Sequence, residues 1–128
     1  MKRVVGIGGI FFKSQDPKAL GAWYEKHLGI TPKPHKGVTF PWRHEDDPER
    51  VGQTVWAPFA KDTSYFAPSG ASFMINYIVD DLDAVLEALR AEGVTVDEKR
   101  EDAPYGRFGW AMDPEGNRIE LWEPPKKG

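Results

Sequence analysis

The sequence of 128 residues contains no cysteine, which excludes a disulfide framework, a thiolate zinc site and a cysteine nucleophile. It also lacks a strong excess of one charge, since 17 Lys and Arg residues stand against 20 Asp and Glu residues, for a net charge of -3. We therefore expect neither a nucleic-acid partner nor an anionic membrane surface. No apolar run approaches the roughly 20 residues that span a bilayer. These absences predict a cytoplasmic protein, and the length fits one domain.

The apolar run Val4–Phe12 follows Lys2 and Arg3 and imitates the front of a secretory signal. It is short and leads into polar residues and an amphipathic helix, without a convincing small-residue cleavage site. Because the run is rich in Val, Ile and Phe, it predicts a buried strand instead.

Two helices are predicted, and each opens on an aspartate. Asp16 precedes a proline, as an N-cap residue often does, and Gly29 supplies the stop. Asp81 opens the second helix and Gly93 closes it. Apolar residues recur at three- and four-residue spacing in both, namely Leu20, Trp23, Tyr24 and Leu28, and then Leu82, Val85, Leu86 and Leu89.

The order of elements repeats along the chain. The opening aspartates Asp16 and Asp81 lie 65 positions apart, and the closing glycines follow at nearly the same offset. The sequence therefore predicts one α+β domain, 1–128, made of two tandem βαβββ modules at about 1–60 and 70–125. A linker, 61–70, joins them, and Tyr65 and Phe66 within it suggest that it packs against the rest. The predicted strands are Val4–Phe12, Val38–Trp42, Gln53–Trp56, Ser72–Val79, Val94–Val96, Phe108–Met112 and Arg118–Glu123.

The stretch from Asp113 to Asn117 is typical of a hairpin turn. Its aspartate accepts local backbone N–H bonds, its proline fixes φ, and its glycine suits a position with positive φ. This turn fixes the phase of the last strand. If Glu120 points into the cup of the sheet, Arg118 and Trp122 share its face.

These helix entries and the closing motif from Asp113 to Trp122 resemble the vicinal oxygen chelate superfamily, the group of glyoxalase I, bleomycin-resistance proteins and extradiol dioxygenases. The resemblance extends from Val4 to Pro124. It implies that the two modules curl into a cupped, mixed or antiparallel sheet with one helix per module. It also implies that enzymes of the group hold a divalent metal on the concave face, and that the chain forms a homodimer.

The resemblance also implies where metal ligands would stand, and this sequence keeps one of them. The first-strand position, seven residues before the opening aspartate, is Gly9, and the matching position of the second module is Met74. The late strand of the first module offers Thr54 or Trp56, according to the alignment chosen. Glu120 alone retains a ligand type. Since one carboxylate cannot hold a catalytic metal, we expect no metal cofactor.

Histidines elsewhere do not repair this ligand set. His27 lies at the end of the first helix, and His35 and His44 lie in loops, so none shares a strand or helix face with Glu120. A divalent metal held by a non-standard ligand set that includes Glu120 remains the alternative.

Strand alternation predicts which residues line the concave face. They are Phe11, Phe40, Trp42, Trp56, Met74, Asn76, Trp110, Arg118, Glu120 and Trp122. Aromatic walls with a few polar groups are typical of a small-molecule site, although the same aromatics could simply fill a core. A carboxylate on an inward face must be paired, hydrated or used. Arg118 could pair with Glu120, or Glu120 could act as a general acid or base.

We therefore expect a protein that binds a small apolar or aromatic molecule in its cavity without the usual metal, like the sequestering resistance proteins of the group. One alternative is a metal-dependent lyase, isomerase or dioxygenase of glyoxalase type. Another is a metal-free enzyme in which Glu120 transfers a proton and Asn76 polarises a carbonyl group. The sequence shows no Ser-His-Asp constellation and no phosphate loop, which removes those classes.

Overall fold

The computed structural model describes residues 3–33 and 37–126, and His35 lies outside this part. Within these ranges seven strands form one sheet in the order β2-β3-β1-β4-β7-β6-β5. No helix there is long and apolar enough to cross a membrane. The elements are β1 (Val4–Ser14), α1 (Pro17–Leu28), β2 (Val38–Arg43), β3 (Val51–Ala60), β4 (Phe73–Val79), α2 (Leu82–Ala91), β5 (Glu101–Ala103), β6 (Gly106–Met112) and β7 (Arg118–Glu123).

The two halves of the sheet repeat one arrangement and meet at their first strands. β1 runs parallel to β3 in the first half, and β4 runs parallel to β7 in the second. β1 and β4 pair antiparallel and join the halves. The predicted α+β architecture, a mixed and cupped sheet with one helix in each half, is confirmed. In the described residues the first half has three strands and the second has four.

Both helices begin and end where the sequence predicts. Asp16 and Asp81 each accept a hydrogen bond from the backbone N–H three residues further on, at 3.0 and 3.1 Å. These bonds satisfy one of the free donors that every helix start leaves. Gly29 ends α1 with a φ of 71°, a left-handed conformation that glycine adopts without strain. Gly93 follows α2 with a φ of 84°.

One predicted strand is not observed. The segment Val94–Val96 makes a single bridge, from Val96 to Ala111 of β6, and the short edge strand β5 comes several residues later. Two backbone hydrogen bonds flank this bridge, from Asp97 N–H to the carbonyl of Trp110 and from Met112 N–H to the carbonyl of Thr95. The β-branched residues favoured a strand, but they pair with β6 at one position only.

The sheet has a hydrophobic cluster on each face. The cluster beneath α2 is aliphatic and contains Val79, Leu82, Val85, Leu86 and Leu121. The cluster on the opposite, concave face is mainly aromatic and contains Phe66, Met74, Ile78, Phe108, Trp110 and Trp122. Side-chain alternation in the central strands produces this division, because neighbours along a strand point to opposite faces.

Candidate functional site

Four strands bring four residues together on the concave face, Gly9, Asn76, Glu120 and Trp110, which we call the polar row. The strand registers place Gly9 beside Asn76, Asn76 beside Glu120, and Glu120 beside Trp110. In β7, Glu120 points to the concave face, while the next residue, Leu121, packs beneath α2 on the opposite face. The predicted phase of the last strand therefore agrees with the structure.

Glu120 lies at the centre of this row and is 2 % exposed. Its Oε1 accepts a hydrogen bond from Nδ2 of Asn76 at 2.6 Å. Its Oε2 accepts from Nε1 of Trp110 at 2.9 Å and from the hydroxyl of Tyr65 at 2.5 Å. All three donors are neutral groups. The carboxylate is thus stabilised inside the protein by hydrogen bonds from neutral partners.

Arg118 shares the face of Glu120 but bonds elsewhere. Its guanidinium donates to the backbone carbonyl of Tyr65 at 2.6 Å and to Oδ2 of Asp97 at 3.4 Å. It also lies 4.7 Å from the ring centroid of Trp110, a cation–π contact. The alternative that paired Arg118 with Glu120 is therefore not what the structure shows. The cation holds the segment that contains Tyr65 against β7.

Tyr65 is the member of this site that sequence reasoning missed. It lies in segment 61–70, which the sequence marked as a linker, and its hydroxyl reaches the central carboxylate. Burial, and then the charge of Glu120, raise the pKa of Tyr65 above its usual value. The phenol therefore stays protonated and keeps donating. The available signal was an aromatic pair, Tyr65 and Phe66, inside an otherwise polar stretch.

Phe66 closes the concave face from within the chain. Its side chain is fully buried, and its ring lies 5.3 Å from that of Phe59 and under the ammonium of Lys13. The cavity predicted for this face is consequently occupied by the segment that joins β3 to β4. A hollow of about 140 Å³ lies nearby, beside Trp110 and Arg118. A larger hollow, of about 530 Å³, lies outside, between the end of β1 and α1.

Most of the predicted lining residues lie on the concave face. Six of them are buried, namely Met74, Asn76, Trp110, Arg118, Glu120 and Trp122, and Phe11 and Trp42 pack against the aromatic cluster. Gly6 and Gly52 leave room for Trp42, because a Cβ on either would lie within 2.4 Å of its ring.

Two predicted lining residues are placed differently. Trp56 packs against Phe12 and Tyr24, on the side of the sheet that α1 covers, and does not reach Glu120. Placing Trp56 in the site was therefore wrong, because its strand turns this side chain toward the helix. Phe40 lies in β2 at the sheet edge and is 44 % exposed. It has no neighbouring strand beyond it among the described residues, so it borders the cup without being enclosed.

Asn76 carries the one buried side-chain polar atom without a hydrogen-bond partner that the described residues show. Its Oδ1 is buried without a hydrogen-bond partner. The atom lies so close to β1 that a Cβ on Gly8 would be 2.2 Å from it. A buried carbonyl without a partner is costly, and such atoms are uncommon away from functional sites. Asn76 is thus held by its bond to Glu120, with a free acceptor beside it.

The residues of this row do not fit a divalent metal centre. No group of three His, Asp or Glu side chains converges anywhere in residues 3–33 and 37–126. His27 packs on Trp23, and His44 packs on Trp42, away from the row. Glu120 is already occupied by three hydrogen-bond donors. A metal site needs three or more converging ligands, and here one carboxylate and one amide oxygen are available.

Several solved structures share this fold. Methylmalonyl-CoA epimerase from Mycobacterium tuberculosis is 22 % identical with a TM-score of 0.64, and the match covers 98 % of this chain and 92 % of that one. The Q60A epimerase from Streptomyces coelicolor, bound to 2-nitronate-propionyl-CoA, is 18 % identical with a TM-score of 0.67, covering 93 % and 96 %. The Mn(II)-bound glyoxalase from Novosphingobium aromaticivorans is 19 % identical with a TM-score of 0.63, covering 95 % of this chain and 40 % of that one.

The sequence itself matches one family. No curated protein matches it significantly. The family model described as a glyoxalase-like domain matches residues 9–122, which include the whole polar row and both helices. The chain therefore belongs to the glyoxalase-like domain family, within the vicinal oxygen chelate superfamily.

Proposed function

We propose that the protein binds a small apolar or aromatic molecule on its concave face, against Glu120 and without a metal. The observation that carries the proposal is the state of Glu120, a buried carboxylate whose partners are all neutral. A carboxylate is an expensive way to fill a core, because an apolar residue of similar size fills it at lower cost. Its presence is better explained by a ligand that donates a hydrogen bond to it.

The surroundings of Glu120 support the same class of ligand. Trp110, Met74 and Trp122 supply apolar walls, while Asn76 and Arg118 supply polar groups that can orient a bound molecule. A few polar groups set in apolar walls are the usual composition of a small-molecule site. Among the described residues of this face, Glu120 is also the group able to accept a proton from a bound ligand, so it is our candidate catalytic residue.

A metal-dependent lyase, isomerase or dioxygenase is the second candidate. One observation favours it, namely that Oδ1 of Asn76 is buried without a partner beside the carboxylate of Glu120. These two groups could supply two oxygen ligands to a divalent metal, and a bound substrate would have to supply the remaining ligands. Metal analysis of the purified protein separates the candidates, since near-stoichiometric manganese, nickel, zinc or iron would overturn the metal-free proposal.

The proposal includes a homodimer. Apolar side chains lie exposed between the two helices on the outer face of β1 and β4, among them Ile7, Ile10 and Phe73. An uncovered apolar strip of this kind marks an association surface in soluble proteins. Sedimentation of the full chain tests it, and a purely monomeric protein at high concentration would contradict it.

A screen of small molecules by protein-observed NMR, with and without EDTA, tests the binding function. We expect ligands that shift the indole N–H resonance of Trp110, because that group bonds directly to Glu120. Glu120→Gln should weaken such ligands by roughly tenfold or more, since a charged acceptor is lost. Glu115→Gln, the same change at an exposed turn, is the matched control. Equal affinity in both variants would contradict the proposal.

A further inference from the structure

We propose that Tyr65 occupies the ligand site as an internal substitute, and that the ligand is a small aromatic molecule carrying a hydroxyl donor. This inference rests on the proposed function and gives its ligand class. Segment 61–70, which we call the plug, would move out when the ligand enters. Three features of the molecule support this inference, which are the surroundings of the Tyr65 ring, the hydrogen bonds of Glu120 and the attachment of the plug.

The ring of Tyr65 is surrounded as a bound aromatic ligand would be. Phe59 stacks on it at a centroid distance of 5.6 Å and an interplanar angle of 14°. Trp110 meets it edge-on at 6.4 Å and 89°. The guanidinium of Arg118 lies 5.8 Å from its centroid. One stacked ring, one perpendicular ring and one cation are the contacts by which proteins recognise an aromatic ring.

The hydroxyl of Tyr65 donates a hydrogen bond to the buried carboxylate of Glu120. Oε2 of Glu120 accepts from the Tyr65 hydroxyl at 2.5 Å and also from Nε1 of Trp110, while Oε1 accepts from Nδ2 of Asn76. A molecule that replaced Tyr65 without a donor would leave a buried carboxylate oxygen short of one hydrogen bond. Sites built to receive a hydroxyl reject analogues that lack it. The site therefore selects a phenol-like ligand over a bare aromatic one.

The plug is attached to the sheet at few points. Phe66 is its fully buried residue, and most of its other residues are exposed. Two hydrogen bonds tie it to β7, from the Tyr65 hydroxyl to Glu120 and from Arg118 to the Tyr65 carbonyl. Segments with little buried surface open more readily than the sheet that supports them. The closed plug competes with the ligand. The apparent affinity is therefore the affinity of the open form multiplied by the fraction of molecules whose plug is open.

The test uses p-cresol and toluene, which are the side chains of tyrosine and phenylalanine as free molecules. Each is titrated into the full-length chain, into Tyr65→Ala, and into Tyr65→Ala combined with Glu120→Gln, with the Trp110 indole N–H as the NMR reporter. Tyr105→Ala is the matched control, because Tyr105 is an exposed tyrosine away from the row.

We expect Tyr65→Ala to bind p-cresol about tenfold more tightly than toluene, and the preference to fall below about threefold in the double variant. A merely apolar cavity would favour toluene, the more hydrophobic molecule. Tyr105→Ala should bind p-cresol no better than the parent chain. Equal binding of the two molecules by Tyr65→Ala, or shifts that lie away from Trp110, would overturn the inference.

A measurement on the unaltered chain covers the case in which Tyr65→Ala does not fold. Saturating p-cresol should speed hydrogen exchange of the Ala67 amide, which bonds to the Ser64 carbonyl inside the plug. Toluene should not. Unchanged exchange with p-cresol would overturn the displacement of the plug. The two proposals fail on different outcomes. The proposed binding function is contradicted if the parent chain binds no small molecule on this face. The proposed ligand class is contradicted if the chain binds aromatic molecules equally well with and without a hydroxyl.

Discussion

Helices α1 and α2 open with the same aspartate cap but differ in what they cover. In α1 the buried residue is Gly21, while Trp23 and Leu28 are more than half exposed. In α2 three large apolar residues are buried, and Leu86 packs so closely on β6 that a Cβ on Gly109 would lie 3.0 Å from it. A local start signal therefore sets where a helix begins, whereas packing decides how much the helix stabilises the fold.

The same contrast separates the two halves of the sheet. The second half carries α2, Asn76, Trp110 and Glu120, while the first half supplies Gly9 and the aromatic rings of Phe11 and Phe59. Most of the buried apolar residues and three of the four residues of the polar row therefore lie in the second half, and the first half contributes a glycine and aromatic rings to the concave face.

The largest expected effect tests the helix comparison directly. Leu86→Ala should lower the free energy of unfolding by about 2–5 kcal/mol, because it opens a cavity between α2 and β6. Leu28→Ala, at an exposed position of α1, should change it by less than about 0.5 kcal/mol. Urea unfolding followed by circular dichroism measures both. Similar losses in the two variants would show that α1 is packed as firmly as α2.

A smaller effect tests the attachment of the plug to the second half. Tyr65→Phe removes one hydrogen bond to a charged acceptor and should lower the free energy of unfolding by about 1–3 kcal/mol at neutral pH. Tyr24→Phe, within α1, is the control, since no hydrogen bond to its hydroxyl is found within the described ranges. Equal urea midpoints for Tyr65→Phe and the parent chain would contradict the geometry at Glu120.

Unfolding at alkaline pH gives a second test of the hydrogen bond from Tyr65 to Glu120. The pKa of Tyr65 is raised in the folded chain, first by burial and then by the charge of Glu120, while an unfolded tyrosine has a pKa of about 10. The stability that protonated Tyr65 contributes to the fold is therefore fully present below the pKa of an unfolded tyrosine. It is lost as the pH rises above that pKa, because the unfolded state then releases a proton that the folded state retains. Ultraviolet titration should show one of the four tyrosines ionising only on unfolding. In Tyr65→Phe this delayed step should be missing.

The smallest effect concerns the helix caps. Asp81→Ala should cost about 1 kcal/mol, since it frees the N–H that the cap satisfies in a well-packed helix. Asp16→Ala should cost less in global unfolding, because a poorly covered helix can fray at its start without unfolding the sheet. Thermal melts of the two variants compare the effects. A greater loss from Asp16→Ala would reverse the order of the two helices.

The sequence predicts features that depend on neighbouring residues better than features that depend on distant segments. The helix starts at Asp16 and Asp81 and the phase of Glu120 depend on a few neighbouring residues, and the structure agrees with all three. The side of Trp56 and the partner of Arg118 depend on which other segments approach, and alternation alone assigned the first wrongly and left the second open.

The contribution of Tyr65 was the least predictable part of the site. A polar stretch with Pro and Gly is typical of a linker, and its composition is indeed that of a surface segment. Its two aromatic residues nevertheless cross to the concave face, where Tyr65 bonds to a residue 55 positions later in the chain. Such a contact between distant segments leaves no periodicity in the sequence.

The absence of a side chain at Gly9 has a consequence for anyone who would redesign this protein as a metalloenzyme. Position 9 stands next to Asn76 in the row, and the family resemblance makes it the natural place to add a histidine. Any Cβ there would lie 2.6 Å from Cζ of Phe11 and 3.2 Å from Cβ of Asn76. The ring of Phe11 must therefore move or be replaced when the histidine is added, so the first step toward metal chemistry involves both positions.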